Sequence, residues 1–161
     1  MTSEGEFICL DKTGCPFEMA TCTPGDASCL EEMYDFFSGA ARQGIPPTDK
    51  EARRKWISEL LRKGENFLVR MEGKVVAHAA LLHDFERGDG ELIIFVLEPY
   101  RNRGLGIELI RMALERARRL GLKSVWLTVE SHNFRAIKLY KKAGFEFCET
   151  CDWELKMIIT L

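Results

Sequence analysis

The apolar run Leu92-Ile93-Ile94-Phe95-Val96-Leu97 is short, β-branched and aromatic, which is the make-up of a buried strand. Pro99 bars further regular pairing. From Leu105 the period changes. Leu105, Leu109, Met112, Ala113, Ala117 and Leu120 recur at steps of three and four, predicting a helix that Gly121 stops. Upstream, residues 6–10 and 16–22 flank Asp11-Lys12-Thr13-Gly14 and predict a hairpin. Pro24-Gly25-Asp26 breaks the chain, with Asp26 as N-cap of a helix through Leu30, Met33, Phe36 and Phe37. After a loop from Gly39 to Pro47, the capping-box pattern Thr48-Asp49-Lys50-Glu51 opens a second helix through Trp56, Leu60 and Leu61, ended by Gly64. Phe67 to Arg70 and Val75 to Leu82, joined at Glu72-Gly73, read as a second hairpin, and Arg87-Gly88-Asp89-Gly90 turns into the central strand. Ser124 to Val129 is another strand, a helix follows to a Gly144 stop, and Phe145 to Cys148 and Leu155 to Ile159 close the chain. This order predicts one α/β (α+β) domain over residues 1–161: a mixed, mostly antiparallel central sheet with helices on both faces.

Composition narrows the function. With 161 residues, 46% of them apolar, the chain is the size of one domain with a real core. A net charge of −2 argues against a nucleic-acid partner, and the basic run Arg111, Arg116, Arg118, Arg119 and Lys123 reads as a solvated helix face. No apolar run approaches the roughly 20 residues of a membrane span. Met-Thr-Ser-Glu-Gly-Glu lacks the basic and apolar parts of a signal peptide, so a cytoplasmic location is expected. Cys9, Cys15, Cys22 and Cys29 do not have zinc-site spacing, and Cys148-Glu149-Thr150-Cys151 lies in a strand-like stretch whose alternation parts the two thiols. No metal is expected, and the cysteines read as small, buried, reduced thiols.

The junction at residues 95–106 carries the chemistry. A strand runs into Glu98-Pro99-Tyr100-Arg101-Asn102-Arg103-Gly104-Leu105-Gly106, and that turn opens a helix. Unpaired N–H groups, the positive end of a helix dipole, two arginines and two glycines together make a phosphate cradle. The dinucleotide fingerprint fails, because Leu109 stands where its third glycine belongs, and the P-loop Gly-Lys-Ser/Thr is absent. Arg101-x-x-Gly104-x-Gly106 resembles the acyl-CoA pyrophosphate loop of the GNAT superfamily of N-acyltransferases. Asn133-x-x-Ala136-x-x-Leu139-Tyr140-x-x-x-Gly144-Phe145 resembles the second GNAT signature at every position. The resemblance covers roughly residues 65–150.

The resemblance implies an acetyl-CoA-dependent N-acetyltransferase acting by direct attack. The acceptor would be a small-molecule amine, or a protein lysine or N-terminal amine. Main-chain groups of Phe95, Val96 and Leu97 would bind the pantothenate arm, with an N–H near Val96 polarising the thioester. Arg101, Asn102, Arg103, Gly104, Leu105 and Gly106 would hold the pyrophosphate, and Asn133 would contact the cofactor while also able to cap its helix. Tyr140 would be the general acid, since a phenol of pKa about 10 stays protonated at neutral pH. Glu91 is the first choice for general base. Glu130, His132 and water are alternatives, and His78 reads rather as a satisfied core histidine. Thr128 stands where relatives often carry a carboxylate and cannot serve. Two functional classes stay open: the enzyme, and a non-catalytic module that binds or senses acyl-CoA. Phe36-Phe37-Ser38-Gly39 with Pro46-Pro47 resembles the start of bacterial protein-lysine acetyltransferase domains. The acceptor and the oligomeric state, a homodimer included, have no local signature.

Overall fold

The computed structural model describes residues 7–37, 45–150 and 153–161. Eight strands form one sheet in the order β1-β2-β3-β4-β5-β6-β8-β7. In chain order they are β1 (Phe7–Leu10), β2 (Pro16–Thr21), β3 (Glu65–Met71), β4 (Lys74–Asp84), β5 (Asp89–Val96), β6 (Ser124–Glu130), β7 (Glu146–Thr150) and β8 (Glu154–Thr160). The helices are α1 (Ala27–Asp35), α2 (Lys50–Lys63), α3 (Leu105–Arg119) and α4 (Phe134–Ala143). All neighbours pair antiparallel except β5 and β6. The expected mixed sheet with helices on both faces is the observed one.

Strand alternation sorts the core into two layers. Phe67 and Val69 of β3 join α3, α4 and the inner side of β6, whereas Leu68 joins Leu30, Met33 and Ile57 of α1 and α2. On α3, Leu109, Ile110 and Ala113 are wholly buried, and each large aliphatic side chain contributes roughly 1.5–3 kcal/mol. The arginines of that helix lie on its outer face, as the periodicity predicts.

Several local expectations are corrected. Asp26 does not cap α1. Its carboxylate turns back to the Thr23 N–H (2.8 Å) and pairs with Arg70 (2.8 Å), because a cation on β3 outcompetes the helix end. The N-cap of α2 is Asp49, which accepts from the Ala52 N–H at 2.9 Å, one position after the expected Thr48. Gly64 ends α2 in an extended conformation (φ −128°), and its place is fixed by the close approach of β4. The cysteines are not fully buried: Cys9, Cys22 and Cys29 are partly covered, and Cys15 and Cys148 are exposed. Residues 1–6, Ser38, Gly39 with most of the loop after it, and Cys151 lie outside the described residues.

Candidate active site

β5 and β6 begin as a parallel pair and then part. Only Asp89, Gly90 and Glu91 pair with Ser124, Val125 and Trp126. Beyond them β5 stays on β4 as far as Val96, and β6 stays on β8 as far as Glu130. The sheet is therefore forked, with Glu91 at the last paired position. The Leu97 N–H donates to Val76 O at 2.9 Å, toward β4. Alternation along the strand then sends the N–H groups of Val96 and Ile94 into the fork. A cavity of about 360 Å³ occupies it, lined by Glu91, Phe95, Thr128, Glu130 and Tyr140, with Trp153 on its wall.

At the far end of β5 a single turn of 3₁₀ helix (Glu98–Tyr100) leads into the loop before α3. Asn102 (φ 63°) and Gly104 (φ 89°) both take left-handed backbone, and Gly104 is the N-cap of α3. Among the described residues no side chain caps that end, where the first N–H groups of a helix lack intrahelical partners. Gly106 has a different reason to be glycine: a Cβ there would lie 3.1 Å from the Leu139 side chain of α4. The two arginines are already engaged. Arg101 Nε donates to Val96 O (3.0 Å), and its guanidinium lies over the Phe37 ring at 5.9 Å. Arg103 Nε donates to Asp11 Oδ2 (2.8 Å), and its guanidinium lies over Tyr100.

The candidate acid and base fall at the fork. Tyr140 is buried on α4, beside the Phe145 ring. Glu91 faces the cavity half-buried, and that burial raises its carboxyl above the usual range. Glu130 pairs with His132 at 3.0 Å. Asn133 caps α4, its side chain accepting from the Ala136 N–H at 3.2 Å. The Phe95 ring makes edge contacts with Tyr34, Phe37 and Trp56. His78 is buried between Tyr34 Oη on Nδ1 (2.7 Å) and Asn66 Oδ1 on Nε2 (2.8 Å). Burial holds its pKa down at about 3, so it is a neutral core histidine. Burial also pushes the Cys22 thiol up to about 12, far from a nucleophile's range. Among the described residues no group of three or more His, Cys, Asp or Glu could hold a metal ion.

Two residues near the site carried no signal in the sequence. Asp11 and Lys12, in the β1–β2 turn, touch the loop before α3: besides the Asp11–Arg103 pair, the Lys12 N–H donates to Arg103 O at 2.9 Å. Ninety-two positions separate Asp11 from Arg103, so no local pattern reports their contact.

An open strand edge leading to an uncapped helix N-terminus is what a long ligand with an amide-bearing arm and a pyrophosphate would fit. The comparisons agree with that geometry. The model of the acetyltransferase (GNAT) family matches residues 30–145. This chain belongs to that family. Among its relatives, the L-methionine sulfoximine/L-methionine sulfone acetyltransferase of Pseudomonas aeruginosa is 34% identical over 106 residues. That match spans 62% of each of the two chains, so somewhat less than two thirds of the relative is covered. The enzyme of the same name from Salmonella typhimurium is 28% identical over 74% of each chain. The GNAT domain of S. lividans PAT superposes with a TM-score of 0.84 at 16% identity, covering 100% of this chain and 99% of that one. A putative acetyltransferase, yncA of Salmonella typhimurium, solved with acetyl-CoA, superposes at 0.71 with 21% identity, over 90% and 94% of the two chains. Both likenesses are of fold. No helix among the described residues is long and apolar enough to cross a membrane.

Proposed function

We propose that this protein is an N-acetyltransferase that moves an acetyl group from acetyl-CoA to a primary amine, working as one domain. The observation that carries this reading is the fork: a strand edge with N–H groups directed into a cavity that also holds a carboxylate and a phenol. Bound acetyl-CoA would supply an activated thioester carbonyl. The Val96 N–H is the donor for that carbonyl oxygen, and it needs no reorientation because β4 holds the strand. The first-turn N–H groups of α3, from Leu105 and Gly106 onward, take the pyrophosphate. Asn102, Gly104 and Arg101 shape the loop around it, and Asn133 fixes the start of α4 beside it.

An ammonium must lose a proton before it attacks. At pH 7 that costs a lysine-like amine about 4–5 kcal/mol. Glu91 is the acceptor of that proton, and its raised pKa makes it a stronger base than a solvated glutamate. Tyr140 Oη gives a proton to the departing sulfur and recovers one through solvent. Glu130 and Glu154, opposite each other across β6 and β8, make the cavity mouth acidic, which suits a cationic amine. Small-molecule amines and lysine or N-terminal amines of proteins both meet that description. The free cysteines fit a reducing, cytoplasmic setting.

The test is a panel of amines with acetyl-CoA, read by mass spectrometry of the acetylated product. L-Methionine sulfoximine and L-methionine sulfone head the panel, since they are named for two of the relatives. Acetyl-CoA binding without product across the panel would overturn the catalytic reading and favour an acyl-CoA-binding module.

A further inference from the structure

We propose that Lys12, on the β1–β2 hairpin, is the cation that contacts a phosphate of the bound coenzyme. The inference rests on the reading of the α3 N-terminus as the coenzyme's pyrophosphate site. Within that site, the two arginines expected to supply charge are both drawn elsewhere. Arg101 lies along the end of β5, bonded to Val96 O and stacked on Phe37. Arg103 is bound to Asp11, whose side chain is wholly buried, so its charge is met within the protein. Both Asp11 oxygens are occupied: Oδ2 by Arg103, and Oδ1 by the Thr13 N–H, the Thr13 hydroxyl and the Cys15 N–H. This acid is therefore fully engaged without its neighbour in sequence.

Lys12 is exposed and sits over the cradle itself. Its main-chain N–H donates to Arg103 O at 2.9 Å, which fixes the hairpin on the loop. Its stem crosses Gly104: a Cβ built there would lie 3.5 Å from Lys12 Cγ and 3.7 Å from Cε. The ammonium is one bond beyond that last carbon, beside the left-handed N-cap of α3. A hairpin turn folded around the Asp11 carboxylate thus delivers an exposed cation to the helix end where an anion is expected. The hairpin lies outside residues 30–145, the segment the family model matches.

The ligand chemistry is a phosphate oxygen, from either the pyrophosphate or the 3′-phosphate of coenzyme A. Titration calorimetry with CoA and with 3′-dephospho-CoA distinguishes them. Lys12→Met keeps the stem over Gly104 and removes the charge. It is expected to weaken CoA binding about tenfold, a charge-assisted contact reduced by exposure. Lys12→Arg should restore most of the affinity. The salt dependence of the CoA dissociation constant should flatten in Lys12→Met, which a purely structural lysine would not cause. An equal loss for both ligands assigns the pyrophosphate, and a loss confined to CoA assigns the 3′-phosphate. A Lys12→Met affinity within twofold of wild type, with an unchanged salt slope, overturns the proposal. Wild-type protein that binds neither ligand would instead overturn the reading of the site.

Discussion

Glu91 and Tyr140 stand on different elements and enter one cavity from different layers of the fold. Glu91 shares its face of β5 with Phe95, on the α1–α2 side, while Tyr140 belongs to the α3–α4 core. An acid and a base that approach a reacting group from two sides need not exchange protons with each other. Each can be tested alone. Tyr140→Phe keeps the ring against Phe145 and removes only the hydroxyl, so kcat should fall about 10²–10⁴-fold with KM for acetyl-CoA roughly held. A kcat within about threefold, accompanied by a lower melting temperature, would make Tyr140 a packing residue. For Glu91 the readout is pH. Burial raises its pKa, so wild-type kcat/KM should decline on acidification from a point above the ordinary glutamate range. Glu91→Gln cannot take the proton at any pH. Its deficit should therefore be largest above that pKa and shrink below it, and profiles of identical shape would move the role to Glu130 or to water.

At the scale of elements, the strand–loop–helix from Leu92 to Arg119 was legible because its determinants are local. A β-rich run, a proline, a glycine at the helix start and a new period all fall within a few residues of where they act. The two glycines at the start of α3, its N-cap Gly104 and Gly106 in its first turn, do different work. Gly104 is held at φ 89°, where an L side chain costs about 1–2 kcal/mol, whereas Gly106 meets only the flexible end of Leu139. Gly104→Ala should therefore lower both stability and CoA affinity. Gly106→Ala should cost less in stability, since Leu139 can move a few tenths of an ångström. Thermal unfolding with CoA titration of the two variants decides this, and equal losses would show that the backbone angle is not the determinant. The fork, by contrast, was not legible. It arises from where β5 leaves β6, and nothing in Leu92 to Val96 or Leu127 to Glu130 states that these residues fail to pair. The hairpin laid on the loop escaped for the same reason, being a contact between distant parts of the chain.

Across the whole molecule, the α1–α2 layer is tied to the sheet by a buried polar chain. Asn66 Nδ2 donates to Leu60 O (2.7 Å) and Gly64 O (3.2 Å) at the end of α2, which turns its Oδ1 toward His78. His78 Nε2 must then carry the proton, and Nδ1 accepts from the Tyr34 hydroxyl on α1. Two helices and two strands are joined by this ring, which burial keeps neutral, with the Tyr34 hydroxyl donating to Nδ1. The expectation of a satisfied core histidine was correct, but its partners on α1 and α2 were not readable from the alternation of β4. The consequence for pH follows from linkage. The folded-state pKa of His78 is lowered to about 3 from 6.5, so above 6.5 both folded and unfolded forms are neutral and stability is full. As pH falls from 6.5 toward 3, the unfolded chain binds a proton that the folded one refuses, and stability declines by at most about 1.4 kcal/mol per pH unit. Asp11, held down at about 2 chiefly by the Thr13 hydroxyl, adds a loss only below the ordinary aspartate range, as pH falls through about 2. Between pH 6.5 and 5 the histidine lowers stability and Asp11 adds nothing, while Glu91, whose pKa burial raises, acts in the opposite sense as it takes up its proton. Urea unfolding of wild type across that window should show falling stability. In His78→Gln, which is less stable at pH 7 by about 1–3 kcal/mol through its lost or strained buried bonds, the decline should be absent. A slope unchanged by the substitution would mean that some other group carries the acid sensitivity, and that the Tyr34–His78–Asn66 chain is not what couples protonation to the packing of the two N-terminal helices.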